Sequence, residues 1–148
     1  PYGEYRRPSP HMPTLAPNSV GRHVSRQVKT VTLSKLSPWL GSLSLGDVHT
    51  LPVSHGEGRY FSPKKEIEKL MNRGQVAFQY CDADGSPTLE FPDNPNGSMA
   101  AIEGICSPDG RVLGKMGHSE RIGTNVAKNI VGAKDQQLFK AGVEYFIE

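Results

Sequence analysis

The residues best suited to chemistry lie near position 118, where His118 is followed two residues later by Glu120. An imidazole titrates closest to neutral pH, so a histidine held by a carboxylate through one ring nitrogen can act as a general base through the other. Such a pair could activate a nucleophile. A surface turn that carries two unrelated polar groups is the plain alternative, because residues two apart on a loop need not touch.

A β-hairpin is expected to position this pair. Asp109-Gly110 separates two segments with strand-like composition, 99–106 and 111–116, and Asp-Gly at such a place is the strongest short signal for a hairpin. We therefore predict that these two segments pair. His118 would then lie just beyond the second strand, at the rim of the sheet.

A second candidate segment is Ser54-His55-Gly56, which directly follows a predicted strand at 47–54. In open α/β sheets, ligands bind beyond the carboxyl ends of strands, and glycine lets a backbone approach a ligand closely. Ser54, His55 and Gly56 are therefore predicted to form a substrate edge. The alternative is a glycine-containing turn with a solvated histidine.

Two further strands are predicted from alternating patterns, at 23–33 and 75–81. In the second strand one face is expected to be more buried than the other, with Cys81 on the less buried face. A helix is expected after Ser62 as N-cap, with Pro63 as its first residue and Gly74 as its stop. A closing amphipathic helix is predicted at 134–146, and its apolar face should lie on a sheet. That face comprises Leu138, Phe139, Val143 and Phe146.

The composition limits the possible classes of protein. With 148 residues, 36% of them hydrophobic, the chain can bury one modest core and is one domain or part of one. The net charge of +2 gives no electrostatic footprint for nucleic acid or a membrane surface. No segment has the length and apolarity of a membrane span or a signal peptide, so a cytoplasmic protein is expected.

Two cysteines, Cys81 and Cys106, do not make a disulfide framework, and both lie in apolar segments where a reduced core thiol is usual. The proline-rich residues 1–17 are predicted to be an extended arm or connector, and residues 18–148 to be the folded part.

Four motifs taken together resemble one known family, the class I glutamine amidotransferase domain of phosphoribosylformylglycinamidine synthase, and specifically the C-terminal part of that domain. The motifs are Ser54-His55-Gly56-Glu57-Gly58-Arg59, Pro95-Asn96-Gly97-Ser98, Ala101-Ile102-Glu103-Gly104-Ile105-Cys106 and Gly114-Lys115-Met116-Gly117-His118-Ser119-Glu120-Arg121. The resemblance extends from about Asn18 to the C-terminus. It implies an α/β fold of flavodoxin-like type, with a mixed sheet and flanking helices.

The resemblance also implies a chemistry. A cysteine thiolate attacks the side-chain amide of glutamine, His118 and Glu120 are the other catalytic residues, and Ser54, His55 and Gly56 hold the glutamine. In the family the cysteine lies on a Gly-x-Cys-x-Gly elbow upstream of all these motifs. Neither Cys81 nor Cys106 has that context. The elbow is therefore expected to be missing, and the chain alone is expected to be inactive.

For the whole enzyme, the resemblance implies that ammonia from glutamine is used in an ATP- and magnesium-dependent amidation of formylglycinamide ribonucleotide. No Gly-x-x-x-x-Gly-Lys-Ser/Thr motif occurs here, so ATP and magnesium are expected in the synthetase domain and no cofactor in this chain. The expected partners are glutamine, the synthetase domain and the N-terminal half of the amidotransferase domain.

Two alternatives stay open at this point. The first is a non-catalytic amidotransferase-like module that docks on a synthetase. The second is a metal-dependent hydrolase that uses His55, His118 and Glu120, although no recognised spacing of metal ligands is present and no metal site is expected.

Overall fold

The computed structural model describes residues 12–147. The strands of this part are β1 (Thr14–Ala16), β2 (Val24–Thr32), β3 (Val48–His55), β4 (Arg59–Phe61), β5 (Val76–Cys81), β6 (Ile102–Cys106) and β7 (Leu113–Lys115). The helices are α1 (Lys64–Asn72) and α2 (Leu138–Ile147), with short 3-10 helices at Pro38–Leu40 and Met99–Ala101. None of the helices in this part is long and apolar enough to span a membrane.

Five strands form one sheet in the order β3-β2-β5-β6-β7, and β1 pairs separately with β4. The sheet curls until the chain beyond β7 reaches β3, where the His118 backbone N–H donates to the Pro52 carbonyl at 2.9 Å. Every strand pair in the described part is antiparallel, so the parallel pairs of the expected mixed sheet are not found there. The pairs β2–β3 and β6–β7 are consecutive in the chain and pair without the helical crossover that parallel neighbours require.

The interior of the curled sheet holds the core. Val28, Val53, Tyr80 and Ala101 form one buried cluster inside it. The strands predicted at 23–33 and 47–54 are confirmed as β2 and β3, which pair along their whole length from Val24 opposite His55 to Val31 opposite Val48. This long ladder fixes the end of β3 and therefore the position of the Ser54-His55-Gly56 segment.

The predicted hairpin is also confirmed, because β6 pairs with β7 from Gly104 opposite Lys115 to Cys106 opposite Leu113. Its strands are shorter than expected. Residues 99–101 form a 3-10 turn in which Ala100 and Ala101 have positive φ angles of 50° and 55°, a region incompatible with an extended strand. The first strand therefore begins only at Ile102.

The prediction that β5 has a less buried face is wrong. All six residues of β5 are buried, and Cys81 is fully buried. The strand is the middle one of five, and two buried clusters include its residues. Val76 packs with Ile67 of α1. Phe78 packs with Leu40 and Leu138.

Helix α1 begins one residue later than predicted. Pro63 is the N-cap, because its carbonyl accepts the N–H groups of Glu66 and Ile67, while the Ser62 side chain makes no capping bond. The stop at Gly74 is confirmed, since this glycine has a φ of 65° and its N–H donates to the Met71 carbonyl. Gly74 thus ends the helix as its sequence position indicated.

Helix α2 differs more from the prediction. It begins at Leu138, because Gln137 has a left-handed φ of 49°. Its buried residues are Leu138, Ala141 and Gly142, and Gly142 packs directly against the Trp39 ring. Of the expected apolar face, only Leu138 reaches the sheet, where it packs in one cluster with Phe78 of β5, because the helix packs mainly on the 3-10 helix 38–40. Phe139, Val143 and Phe146 are 62%, 57% and 63% exposed.

The arm predicted at 1–17 lies mostly outside the described residues. Its last part does form structure, since Thr14–Ala16 pairs with β4 through Leu15 opposite Tyr60.

Candidate active site

His118 and Glu120 are in direct contact. The Nδ1 atom of His118 and the Oε1 atom of Glu120 are 2.7 Å apart, and the two side chains are 29% and 55% exposed. A hydrogen bond from its own backbone N–H, and then the bond to His118, lower the pKa of Glu120. The carboxylate is therefore ionised at neutral pH and acts as the acceptor. In the described part of the chain, Nε2 of His118 makes no hydrogen bond, so it is the nitrogen available to a reacting group.

The turn that carries these residues lies where the sheet closes. The His118 N–H donates to Pro52 of β3, and the Arg121 N–H donates back to the His118 carbonyl at 3.3 Å. The Arg121 guanidinium also lies 3.8 Å from Glu120. Lys115 of β7 also bonds to the backbone of this turn through its ammonium group, so both edges of the curled sheet, β7 and β3, fix the backbone beside the imidazole.

Below this turn lies a buried charge that the sequence analysis did not single out. The Glu103 side chain is inaccessible to solvent and lies 3.4 Å from the ammonium group of Lys115. The signal in the sequence was a single acidic residue within the apolar segment 99–106. A charge in such a position is almost never fully buried unless it is paired.

The Ser54-His55-Gly56 segment is a clamped loop. Asn18 is buried; its amide donates to the His55 carbonyl at 2.7 Å, and its backbone N–H donates to the Gly56 carbonyl at 2.8 Å. The side-chain oxygen of Asn18 lies 3.0 Å from Nδ1 of His55. Gly58 is required here, because a Cβ atom at this position would lie 2.5 Å from that ring nitrogen.

Burial controls the chemistry of His55. Desolvation lowers its pKa, and its buried Nε2 atom has no hydrogen-bond partner among residues 12–147. Its ring therefore stays neutral and fills the interior. The Ser54 side chain lies on the opposite face of β3, where its hydroxyl is 3.1 Å from Nε2 of His23.

The structure brings the two predicted site segments to the same edge strand. The His118 N–H bonds to Pro52, and Ser54 lies two residues further along β3. The two segments therefore meet this strand at points roughly 7 Å apart along its axis. The pocket beside the His118–Glu120 turn has a volume of about 620 Å³, and the Ser54-His55-Gly56 segment does not line it. Its lining consists of His118 and Glu120 together with apolar residues, among them Trp39, Leu138 and Phe139.

Neither cysteine has the properties of a nucleophile. Both are free and buried. Burial raises the pKa of the Cys81 thiol to about 11, and burial also raises the pKa of Cys106. A nucleophilic cysteine needs a lowered pKa, since the thiolate is the reactive form. The prediction that both are core thiols is confirmed.

Residues 12–147 contain no group of three His, Cys, Asp or Glu side chains that could hold a metal ion. His118 and Glu120 contact each other, whereas His55 is turned into the interior and bonded to Asn18. The three side chains named for the metal-hydrolase alternative therefore do not form one ligand set.

The hairpin, the His118–Glu120 turn and the curled sheet beneath it define a glutamine amidotransferase domain. The chain belongs to the family described as the CobB/CobQ-like glutamine amidotransferase domain, whose model matches residues 1–146. Within this class it is similar to the PurQ subunit of phosphoribosylformylglycinamidine synthase. The resemblance read from the sequence motifs is thereby confirmed.

Three relatives illustrate this similarity. PurQ from Chlorobaculum tepidum is 38% identical over 128 residues, which cover 86% of this chain and 52% of the relative. PurQ from Aquifex aeolicus is 36% identical and covers 82% and 51%. PurQ from Thermomicrobium roseum is 48% identical over a shorter stretch that covers 57% and 35%. The chain spans about half the length, or less, of the curated relatives it matches.

A solved structure supports the fold. A chain of the PurLQS structure from Thermotoga maritima superimposes with a TM-score of 0.65 at 24% identity, covering 89% of this chain and 52% of that one. The α/β amidotransferase fold is confirmed by this comparison.

Proposed function

We propose that this chain supplies the base and the orienting carboxylate of the glutaminase of phosphoribosylformylglycinamidine synthase. The observation that carries the proposal is the 2.7 Å contact between His118 and Glu120 on a turn fixed by both edges of the sheet. The similarity to PurQ subunits gives the class of substrate. The nucleophile would come from an upstream Gly-x-Cys-x-Gly elbow, as the family resemblance implies.

In this mechanism Nε2 of His118 takes the proton of the cysteine thiol, and the thiolate attacks the side-chain amide carbon of glutamine. The C–N bond breaks as the imidazolium returns its proton to the departing nitrogen, so that ammonia leaves and a thioester forms. Water then hydrolyses the thioester to glutamate, and the thiol is regenerated. Glu120 accepts from Nδ1–H throughout, which fixes the tautomer and stabilises the imidazolium.

The substrate amide would be held near the end of β3. The position of Ser54 on the edge strand that also carries the His118 contact supports this assignment. The carbonyls of His55 and Gly56 already accept hydrogen bonds from Asn18, so the loop is preorganised. We assign glutamine binding to backbone groups of the Ser54-His55-Gly56 segment rather than to the buried His55 ring.

The whole enzyme would be a ligase. Ammonia from glutamine would be passed to a synthetase partner that binds ATP and magnesium and amidates formylglycinamide ribonucleotide. The reaction would take place in the cytoplasm as a step of purine synthesis. The described residues contribute the glutaminase groups alone to this scheme.

The test is reconstitution. The chain is mixed with a separately made elbow-bearing N-terminal half of the domain, and ammonia release from glutamine is measured. We expect glutamine-dependent release that neither half gives alone and that a Cys-to-Ala change in the elbow abolishes. Stable association of the halves with no ammonia release would overturn the proposal and leave a module that only docks on a synthetase.

A further inference from the structure

The buried pair of Glu103 and Lys115 is arranged around the backbone of the catalytic turn. Oε1 of Glu103 accepts the N–H of Met116 at 3.1 Å and the N–H of Gly117 at 2.5 Å. The Lys115 ammonium lies 3.4 Å from the same oxygen. A buried ion pair is a poor source of stability, because desolvation offsets the attraction between the charges. Stability alone therefore does not account for this pair.

Lys115, the other member of the pair, makes hydrogen bonds to the opposite side of the turn. Lys115 donates to the Gly117 carbonyl at 2.8 Å and to the Ser119 hydroxyl at 3.0 Å. The Ser119 hydroxyl in turn donates to Oε1 of buried Gln136 at 2.6 Å. Backbone or side-chain groups of the residues on both sides of His118 are thus bonded to one buried network.

The imidazole itself has little support of its own. Within the described residues, its hydrogen bond is to Glu120, a side chain that is 55% exposed. The location of the ring therefore follows from the backbone of the turn. Gly117 is the point of closest approach, since a Cβ there would lie 2.9 Å from Glu103 and 3.1 Å from the Lys115 ammonium.

We propose that Glu103 and Lys115 are positioning residues of the glutaminase: they hold the turn 116–119 in the conformation that places His118 for proton transfer. The inference rests on the proposed function. Neither side chain needs to touch glutamine. A shift of about 1 Å in a catalytic group can lower a rate about a hundredfold, so a rigid support of this kind has a measurable effect on kcat.

The test uses the complete enzyme that contains this chain and three variants, Glu103→Met, Lys115→Met and the double variant. Each single change leaves one buried charge without its partner and lowers the melting temperature. The double change removes both charges and restores much of that stability, because an apolar pair can replace a buried ion pair. It also leaves the Gly117 N–H without its acceptor, while the Met116 N–H keeps the backbone carbonyl of residue 103 at 3.1 Å.

We expect all three variants to lose about a hundredfold in kcat for glutamine hydrolysis with KM within about twofold. The loss should persist in the double variant although its melting temperature recovers. A kcat that recovers together with the melting temperature would show that the pair acts through stability alone, and would overturn the inference. An unchanged kcat in Glu103→Met would overturn it as well.

Gln75→Met is the matched control. Gln75 is buried, and its amide donates to the Cys106 carbonyl of the same strand that carries Glu103, away from the turn. This variant should lose stability and keep kcat within about twofold of the parent. A loss of kcat comparable to that of Glu103→Met would overturn the inference.

A second readout separates this inference from the proposed function. The nitrogen-15 resonances of the His118 ring, assigned with His118→Asn, report its hydrogen bond to Glu120. They should move in the double variant and stay in place in Gln75→Met. If the unmodified enzyme hydrolyses no glutamine, the proposed function fails, while the His118 signals still decide whether the pair positions the ring. Signals that do not move in the double variant would overturn the inference.

Discussion

The chain contains two His-x-Glu sequences, each at the end of a strand, and the structure gives them opposite properties. His118-Ser119-Glu120 follows β7, with an accessible imidazole 2.7 Å from its carboxylate. His55-Gly56-Glu57 is at the end of β3, where the ring is buried, Asn18 rather than Glu57 is its partner, and Glu57 is exposed. The same spacing therefore produces a candidate acid-base pair in one loop and an internal support in the other.

This contrast shows that the environment of a histidine, and not its spacing from a carboxylate, sets its role. Loss of hydration holds the pKa of His55 below its usual value and keeps the ring neutral. At His118 the ring is partly hydrated and an ionised acceptor holds Nδ1. The first arrangement stabilises a loop, whereas the second leaves one nitrogen for proton transfer.

The largest expected effect is the loss of activity in His118→Asn. In the complete enzyme this change should lower kcat for glutamine hydrolysis by about ten-thousandfold, because it removes the imidazole that takes the thiol proton and returns it to the leaving nitrogen. The assay is ammonia release from glutamine. The melting temperature is the control and should change little, since the ring is partly exposed. Retention of more than a tenth of the activity would contradict the assignment.

Removal of the support for His55 should affect stability instead. Asn18→Ala deletes the bonds of the Asn18 side chain to the His55 carbonyl, the His55 ring and the Gly58 N–H. We expect the free energy of unfolding to fall by about 3 kcal/mol, because buried polar groups lose their partners. Denaturant unfolding measures it. Thr14→Ala, a change at an exposed residue, is the comparison and should stay within about 0.5 kcal/mol of the parent.

Glu120→Gln tests the orienting carboxylate. The amide keeps the size of the side chain and removes the negative charge, so the imidazolium loses its stabilising partner. We expect kcat to fall by about thirtyfold, less than for His118→Asn, since Glu120 is more than half exposed and water replaces part of its effect. Steady-state kinetics with KM measured separately checks the result. A change confined to KM would instead place Glu120 in substrate binding.

The smallest effect is on the pH dependence of stability. Burial lowers the pKa of both His49 and His55 from 6.5, so the folded state favours the neutral rings. Their contribution is complete above pH 6.5 and is lost as the pH falls toward and through their folded-state pKa values. Melting temperatures should therefore decline modestly across this range.

The matched variant is the double change His49→Gln with His55→Gln. It should flatten the decline of melting temperature below pH 6.5, whatever it does to stability at higher pH. If the slopes of parent and variant coincide, the two buried rings are not its source.

Much of the fold could be predicted from local patterns. The β6–β7 hairpin follows from Asp109-Gly110, and the end of α1 follows from Gly74, where a left-handed residue is required. Local patterns did not predict the features that depend on tertiary packing, such as the position of the last helix. The closing helix was expected to lie on a sheet, but Gln137 interrupts it with a positive φ, only Leu138 reaches β5, and the helix packs mainly on the 3-10 helix 38–40.

The residue types of the candidate site could be predicted from local sequence, because His118 and Glu120 are close in the chain and the turn after a hairpin is a local structure. Which of the two histidines is accessible, and what lies beneath the turn, depends on long-range packing. Glu103 reaches that turn through the β6–β7 pairing, whereas Pro52 reaches it through the curl of the sheet, which brings the chain after β7 onto β3. Such closure depends on contacts between residues far apart in the chain, and these leave no periodic or local signal.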